Sequence, residues 1–167
     1  MQERCKIGVV IGNANSPHAV NIMKGIDQAS KECDVQIMYF MNVSSPYTAQ
    51  LYPPDTSIGW DYQKSAIYDY ARYVKADVLI MTYGMMSIFM KSDYGKQYLE
   101  YFRNVPCVLI NEQTDRPNWT SIIVDNYNGI YELVEHLVRD HGYHNFAFLA
   151  GPPGNTDACQ RKRAFLD

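Results

Sequence analysis

The residues best suited to chemistry in this sequence are polar amides, aromatics and one histidine, gathered where short apolar runs end. They are Asn13, Asn15, His18, Tyr47, Tyr52, Trp60, Tyr83 and Asn111. Neutral hydrogen-bonding groups beside aromatic faces suit small polyhydroxylated or heterocyclic ligands. The signal is diluted by the 14 tyrosines, which put a phenol near almost any loop. Glu112, Asp115 and Asp125 follow the same run ends, but no nucleophile stands beside them, so capping and hydrogen bonding are their expected roles. The chain has no Gly-x-Ser-x-Gly elbow. Gly151-Pro152-Pro153-Gly154-Asn155 lacks the lysine of a phosphate loop. Gly12-Asn13-Ala14-Asn15 lacks the dinucleotide glycine pattern. Neither an enzyme nor a bound cofactor is expected.

His136, His141 and His144 invite a metal reading that their spacing opposes. On one continuous helix, His136 and His141 point to different faces, because a helical two-histidine site wants a separation of about four. No metal site is expected, and His141 reads as a cation at a helix end. Cys5, Cys33, Cys107 and Cys159 lie far apart with no Cys-x-x-Cys pair, so they read as small buried or half-buried apolar residues.

Composition narrows the class further. Apolar residues make up 47% and charged residues 20%, the balance of a globular domain able to bury its own core. A net charge of −3 gives no nucleic-acid footprint. No apolar run reaches the roughly 20 residues of a membrane helix. The N-terminus shows no secretory signal, so a cytoplasmic location is expected.

The chemistry-bearing residues need elements to hold them. Apolar runs at 7–11, 35–40, 78–81, 107–110, 122–124 and 146–150 read as strands. Most are apolar throughout, as strands are when helices cover both faces of a sheet. Helical patterns lie between most of them. Ser16 and Pro17 open the first as N-cap and first helical residue. The spacing predicts others over about 62–74, 92–103 and 128–141, the last closing on His141-Gly142, and a fifth from Asp157. The alternation implies an α/β fold with a parallel sheet flanked by helices and ligands at the carboxyl ends of the strands. The Tyr/Pro/Ser-rich stretch 42–60 exceeds the usual connection of about 2–6 residues and reads either as an ordered binding loop or as a mobile insertion.

Several segments together resemble the ligand-sensing core of the lactose-repressor/galactose-repressor family, relatives of the type I periplasmic binding proteins. Ile7-Gly8-Val9-Val10, Asn13-Ala14-Asn15-Ser16-Pro17 and Gly25-Ile26 are similar to that family's opening strand, turn and helix. From Val105 the match is closer. Val105-Pro106-Cys107-Val108-Leu109-Ile110-Asn111 leads to Ser121-Ile122-Ile123-Val124-Asp125-Asn126. Gly129, Glu135-His136-Leu137, His141-Gly142-Tyr143, Phe146–Pro152, Asp157-Ala158 and Arg161 follow in order.

The resemblance implies the N-terminal lobe of a periplasmic-binding-protein-like type I fold over 1–125 and an incomplete start of the C-terminal lobe over 126–167. It implies a ligand held by Asn13, Asn15, His18, Tyr83, Asn111, Asn155, Asp157 and Arg161. His18 stands where the family usually has an aromatic, and Asn111 where many members have an aspartate. Arg161 would clamp ligand oxygens, unless it is a solvated helix arginine beside Lys162 and Arg163. The expected partners are a small polar metabolite, sugar or nucleoside-like, and a second copy bound through the first-lobe helices. No direct nucleic-acid contact and no membrane are expected. The expected function is ligand sensing for a transcriptional regulator or signalling protein. A sensor joined to a diguanylate cyclase or kinase and a self-contained flavodoxin-like domain are the alternatives. Two departures from the family are the absence of a helix-turn-helix ahead of Lys6 and the long 42–60 stretch.

Overall fold

The computed structural model describes residues 4–43, 62–87, 92–151 and 155–167. Tyr47, Tyr52 and Trp60, most of the 42–60 stretch, and Pro152–Gly154 lie outside the described residues. The chain divides into two compact units, Met1–Ile123 and Val124–Asp167.

The first unit is a sheet covered by helices. Its elements run β1 (Cys5–Ile11), α1 (Pro17–Glu32), β2 (Val35–Met41), α2 (Tyr62–Tyr70), β3 (Val78–Met81), α3 (Tyr83–Ser87), α4 (Ser92–Tyr101), β4 (Cys107–Ile110) and β5 (Trp119–Ile122). The strands lie in the order β2-β1-β3-β4-β5, and every neighbouring pair is parallel. The chain moves outward from β1 to β2, then crosses back to β3 and continues the other way. The carboxyl ends of β1 and β3 therefore flank the reversal where such sheets bind ligands.

Strand β1 explains why its sequence does not alternate. Val9 and Ile11 pack with Ala19, Ile22, Met23 and Ile26 of α1. Val10 belongs to the opposite cluster, with Tyr68 of α2, Tyr98 and Phe102 beside α4, and Leu79, Met81 and Leu109 of the sheet. Both faces exclude water, so both residue sets must be apolar. Inside that second cluster the Tyr98 hydroxyl donates to the Tyr68 carbonyl at 2.8 Å. Helix α1 starts as the sequence predicts, with the Ser16 hydroxyl accepting from the Ala19 N–H and Pro17 in the first turn.

The second unit is a helix pair, α5 (Asn126–Arg139) and α6 (Thr156–Leu166). Asp125 caps α5 by accepting from the Asn128 N–H, and those Asn128 bonds hold its carboxyl below the usual range. Gly142, at φ 65°, closes α5 by donating its N–H to the Val138 carbonyl, as the His141-Gly142 signal predicts. Phe165 of α6 stacks on Phe148 and meets Phe146 edge-on.

Several sequence expectations need correction. Residues 146–150 are not a strand: no other strand occurs among the described residues of this unit, and a strand persists only where its N–H and C=O groups find a ladder. The run expected at 122–124 pairs instead over Trp119–Ile122, opposite Cys107–Ile110, and leaves Ile123 and Val124 exposed. Helix α2 stops at Tyr70 and gives way to three-residue turns through Tyr73, rather than reaching Val74. Helix α4 likewise stops at Tyr101. Helix α5 begins two residues earlier than predicted and ends at Arg139. The loop expected after β3 contains the short helix α3. The burial expected of the four cysteines holds at Cys107 and not at Cys5, Cys33 and Cys159, which are exposed.

Candidate functional site

Three turns at the carboxyl edge of the first unit's sheet are tied together by side chains. After β1, Gly12 lies so close to α3 that a Cβ there would sit 2.6 Å from the Met85 carbonyl oxygen. Only glycine admits this approach. The Gly12 N–H donates to the Thr82 hydroxyl at 3.2 Å, and the Thr82 N–H donates to the Val10 carbonyl at 3.0 Å. Buried Thr82 thus clasps the ends of β1 and β3.

Asn13 follows at φ 49°, in the left-handed region that asparagine tolerates best after glycine. Its N–H donates to the Asn42 side-chain oxygen at 2.8 Å, while the Ala14 N–H donates to the Asn42 carbonyl at 2.8 Å. Asn42, buried just beyond β2, therefore shapes the turn. Asn111, beyond β4, is the other non-glycine residue described with positive φ, at 59°. Its N–H is fixed on the Ile122 carbonyl of β5 at 2.8 Å. Its side-chain amide lies 3.0 Å from Nε2 of His18, in the first turn of α1. With the amide nitrogen toward the ring, His18 accepts through Nε2 and carries its proton on Nδ1.

Tyr83 opens α3 beside the same edge. Burial, and then the nearby Glu112 carboxylate, push its hydroxyl above the usual tyrosine range. The phenol therefore stays protonated and can donate as well as accept. Asn15 is exposed on the turn between Asn13 and α1.

The structure thus brings His18 and Asn111 into contact, with Asn13, Asn15 and Tyr83 on loops of the same sheet edge. Gly12, Asn42 and Thr82 hold that geometry, yet sequence reasoning did not place them in the site. A glycine directly after an apolar strand was the one signal for Gly12; nothing local marks Asn42 or Thr82, whose partners are about 30 and 70 residues away. A pocket lined by Gln113, Thr114, Asp115, Ser121 and Ile123 lies in the same unit; of the residues the sequence singled out, only Asp115, expected to cap or hydrogen-bond, lines it.

The other three expected residues lie in the second unit. Asn155 caps α6, accepting from the Ala158 N–H at 2.9 Å, and Asp157 sits in the first turn. Arg161 donates from Nε to the Asn126 side-chain oxygen at 2.6 Å, and the Asn126 amide donates onward to the Val124 carbonyl. It is a bonded arginine rather than a merely solvated one.

The edge offers amide, imidazole and phenol donors and acceptors, with the Glu112 carboxylate beside Tyr83. Among the described residues no group of three or more histidines, cysteines or carboxylates could hold a metal ion. His136 and His141 do not point to different faces as the spacing implied. Because α5 ends at Arg139, His141 turns back and its Nε2 lies 3.1 Å from Nε2 of His136.

A parallel sheet in this order, with polar turns at its carboxyl edge, is a doubly wound α/β unit. No family model matches the chain. A curated relative named a probable HTH-type transcriptional repressor, ExuR of Bacillus subtilis strain 168, is 27% identical over 108 residues, or 59% of this chain and 32% of that protein. The lac repressor dimer solved with operator and the anti-inducer ONPF superposes with a TM-score of 0.66 at 19% identity, covering 99% of this chain and 50% of that one. The transcription regulator CcpA of Lactococcus lactis gives 0.63 at 14% identity, over 98% and 52%. The chain therefore spans about a third of the curated relative and about half of these solved structures. The fold is thus similar to part of the lac repressor and of other LacI-family regulators.

Proposed function

We propose that this chain is the ligand-sensing part of a transcriptional regulator, not an enzyme, and that it binds a small polar metabolite, sugar or nucleoside-like. Residues 1–125 serve as the N-terminal lobe and 126–167 begin the C-terminal lobe of a two-lobed sensor. The observation that carries the reading is the His18–Asn111 pair, which joins turns 93 residues apart at the ligand-binding edge of a parallel sheet. Side chains already in hydrogen-bonding order present acceptors and donors to ligand hydroxyls without a large ordering cost. Both groups are neutral hydrogen-bonding partners, so the pair favours polar uncharged ligand groups over cations.

Asn13, Asn15 and Tyr83 add ligand contacts within the first unit; Asn155, Asp157 and Arg161 are the ligand-contact candidates of the second. Because Arg161 already uses Nε on Asn126, its ligand contacts fall to the terminal nitrogens. The regulator is cytoplasmic and works as a homodimer joined through first-lobe helices, and this part touches no nucleic acid. Its relative ExuR is a probable transcriptional repressor, and the similar lac repressor binds operator and an anti-inducer.

Calorimetric titration with a panel of hexoses, hexose phosphates and nucleosides tests the reading. A ligand from the panel should bind, and His18→Ala or Asn111→Gly should weaken it by about tenfold or more, the loss of roughly 1–3 kcal/mol typical of a buried hydrogen bond left unpaired. Full affinity in both variants contradicts the assignment. The sheet order β2-β1-β3-β4-β5 is also that of flavodoxin-like domains. That reading requires flavin absorbance in the purified protein; a colourless preparation that binds no added flavin removes it.

A further inference from the structure

We propose that His136 and His141 form a surface site for a borderline divalent transition-metal ion, of the Zn2+, Ni2+ or Cu2+ class. The two Nε2 atoms lie 3.1 Å apart, which at metal–nitrogen bonds of about 2.0–2.1 Å subtends roughly 100° at a shared ion. That angle falls between the square and tetrahedral ideals. The ring centroids are 4.8 Å apart and the planes cross at 85°. A head-on N–H···N pair would separate the rings by the nitrogen distance plus the full reach of both rings. The shorter centroid separation excludes that head-on arrangement and is about what two rings directed at one shared ion would give.

The surrounding residues hold both rings in place. The Asp140 carboxylate lies 2.6 Å from Nδ1 of His136. It accepts the Nδ1 proton and leaves the Nε2 lone pair for a ligand, the carboxylate–histidine arrangement that supports metal-bound imidazoles. Asp140 is itself fixed, because its N–H donates to the His136 carbonyl at the end of α5. His141 stacks on Tyr143 with centroids 5.7 Å apart and planes 11° from parallel. A cation here also meets the negative end of the helix dipole. The His136 side chain is about half exposed, so an ion can enter from solvent. Two protein nitrogens leave the remaining positions to water, so the ion binds exchangeably and less tightly than at a closed site.

Titration of Zn2+ into the chain, freed of any histidine tag and followed by calorimetry, tests the site. One ion per chain should bind. His136→Asn and His141→Asn should each weaken it by at least tenfold, and Asp140→Asn by about tenfold, the usual cost of losing the carboxylate bonded to a metal-binding imidazole. His144→Asn should leave it unchanged. Imidazole nitrogen NMR should show the Nε2 signals of His136 and His141 moving on addition of Zn2+ while circular dichroism shows the helices intact in every variant. Cu2+ should bind more tightly than Zn2+. No Zn2+ binding, or affinity retained in both histidine variants, overturns the proposal and leaves the pair an ordinary N–H···N hydrogen bond.

Discussion

The two units of this chain were built from similar sequence patterns and ended differently. Among the described residues, every buried apolar side chain except Ala164 belongs to Met1–Ile123. In Val124–Asp167, α5 carries the cleanest apolar stripe in the sequence, yet Leu133 is 50% and Val138 39% exposed, and Leu149 is 99% exposed. The difference is the sheet. Parallel strands give helices two flat apolar faces to cover, and burying those faces stabilises strands and helices together. A helix pair without a sheet has one seam, and it relies more on local devices: the Asp125 and Asn155 caps, the Gly142 closure and the Phe148–Phe165 stack.

Core truncation should separate the units most sharply. Leu79→Ala in β3, a side chain 1% exposed, should cost about 2–5 kcal/mol in denaturant unfolding, whereas Leu133→Ala should stay within about 0.5 kcal/mol. Equal costs would break the contrast. Gly12→Ala should come next, at about 1–3 kcal/mol, because its Cβ meets backbone of α3 rather than a movable side chain. A melting temperature equal to that of the parent would show that α3 can withdraw. Helix caps should follow: Ser16→Ala or Asn155→Ala should each cost about 1 kcal/mol, with the second felt as lost helicity in α6 rather than as global unfolding.

Smaller effects sharpen the same contrast. Asp125 has a depressed folded pKa, so its capping contribution is complete above the ordinary carboxylate value of about 3.9 and is lost as pH falls through the depressed one. Helicity of α5, followed by residue-resolved NMR, should therefore decline at acid pH in the parent and be flat across that range in Asp125→Asn. Burial pushes the Cys107 thiol of β4 up to about 12, against a minor opposing pull from Arg116. At pH 8, Cys5, Cys33 and Cys159, which are exposed, should react with a thiol reagent while Cys107 reacts only on unfolding. Fast labelling of Cys107 would mean that the sheet opens readily.

Much of this was legible in the sequence because it is local or because it repeats. Continuous apolar runs located β1 to β4, since side chains on both faces of these strands are at least partly covered along most of their length. Ser16-Pro17 and His141-Gly142 marked helix ends by the chemistry of unsatisfied N–H and C=O groups. Pairing was not legible. The run 146–150 has the composition of a strand, but no strand among the described residues of its unit pairs with it, and β5 lies a few residues earlier than its apolar run because register with β4 decided it. At the candidate site, Asn13, His18 and Asn111 could be selected by type and position. Their frame could not, because Thr82 and Asn42 act on residues distant in sequence. The His136–His141 approach was hidden by a helix assumed to run two residues further than it does.

The central claim is that the carboxyl edge of the sheet, where His18 meets Asn111, receives the ligand. Amide chemical-shift mapping during titration with the tightest-binding sugar or nucleoside tests it most directly. Within Met1–Ile123, the largest shifts should fall at Gly12–His18, Thr82–Gly84 and Asn111–Glu112. Shifts centred instead on Gln113–Asp115, Ser121 and Ile123, or at the amino ends of the strands, would contradict it.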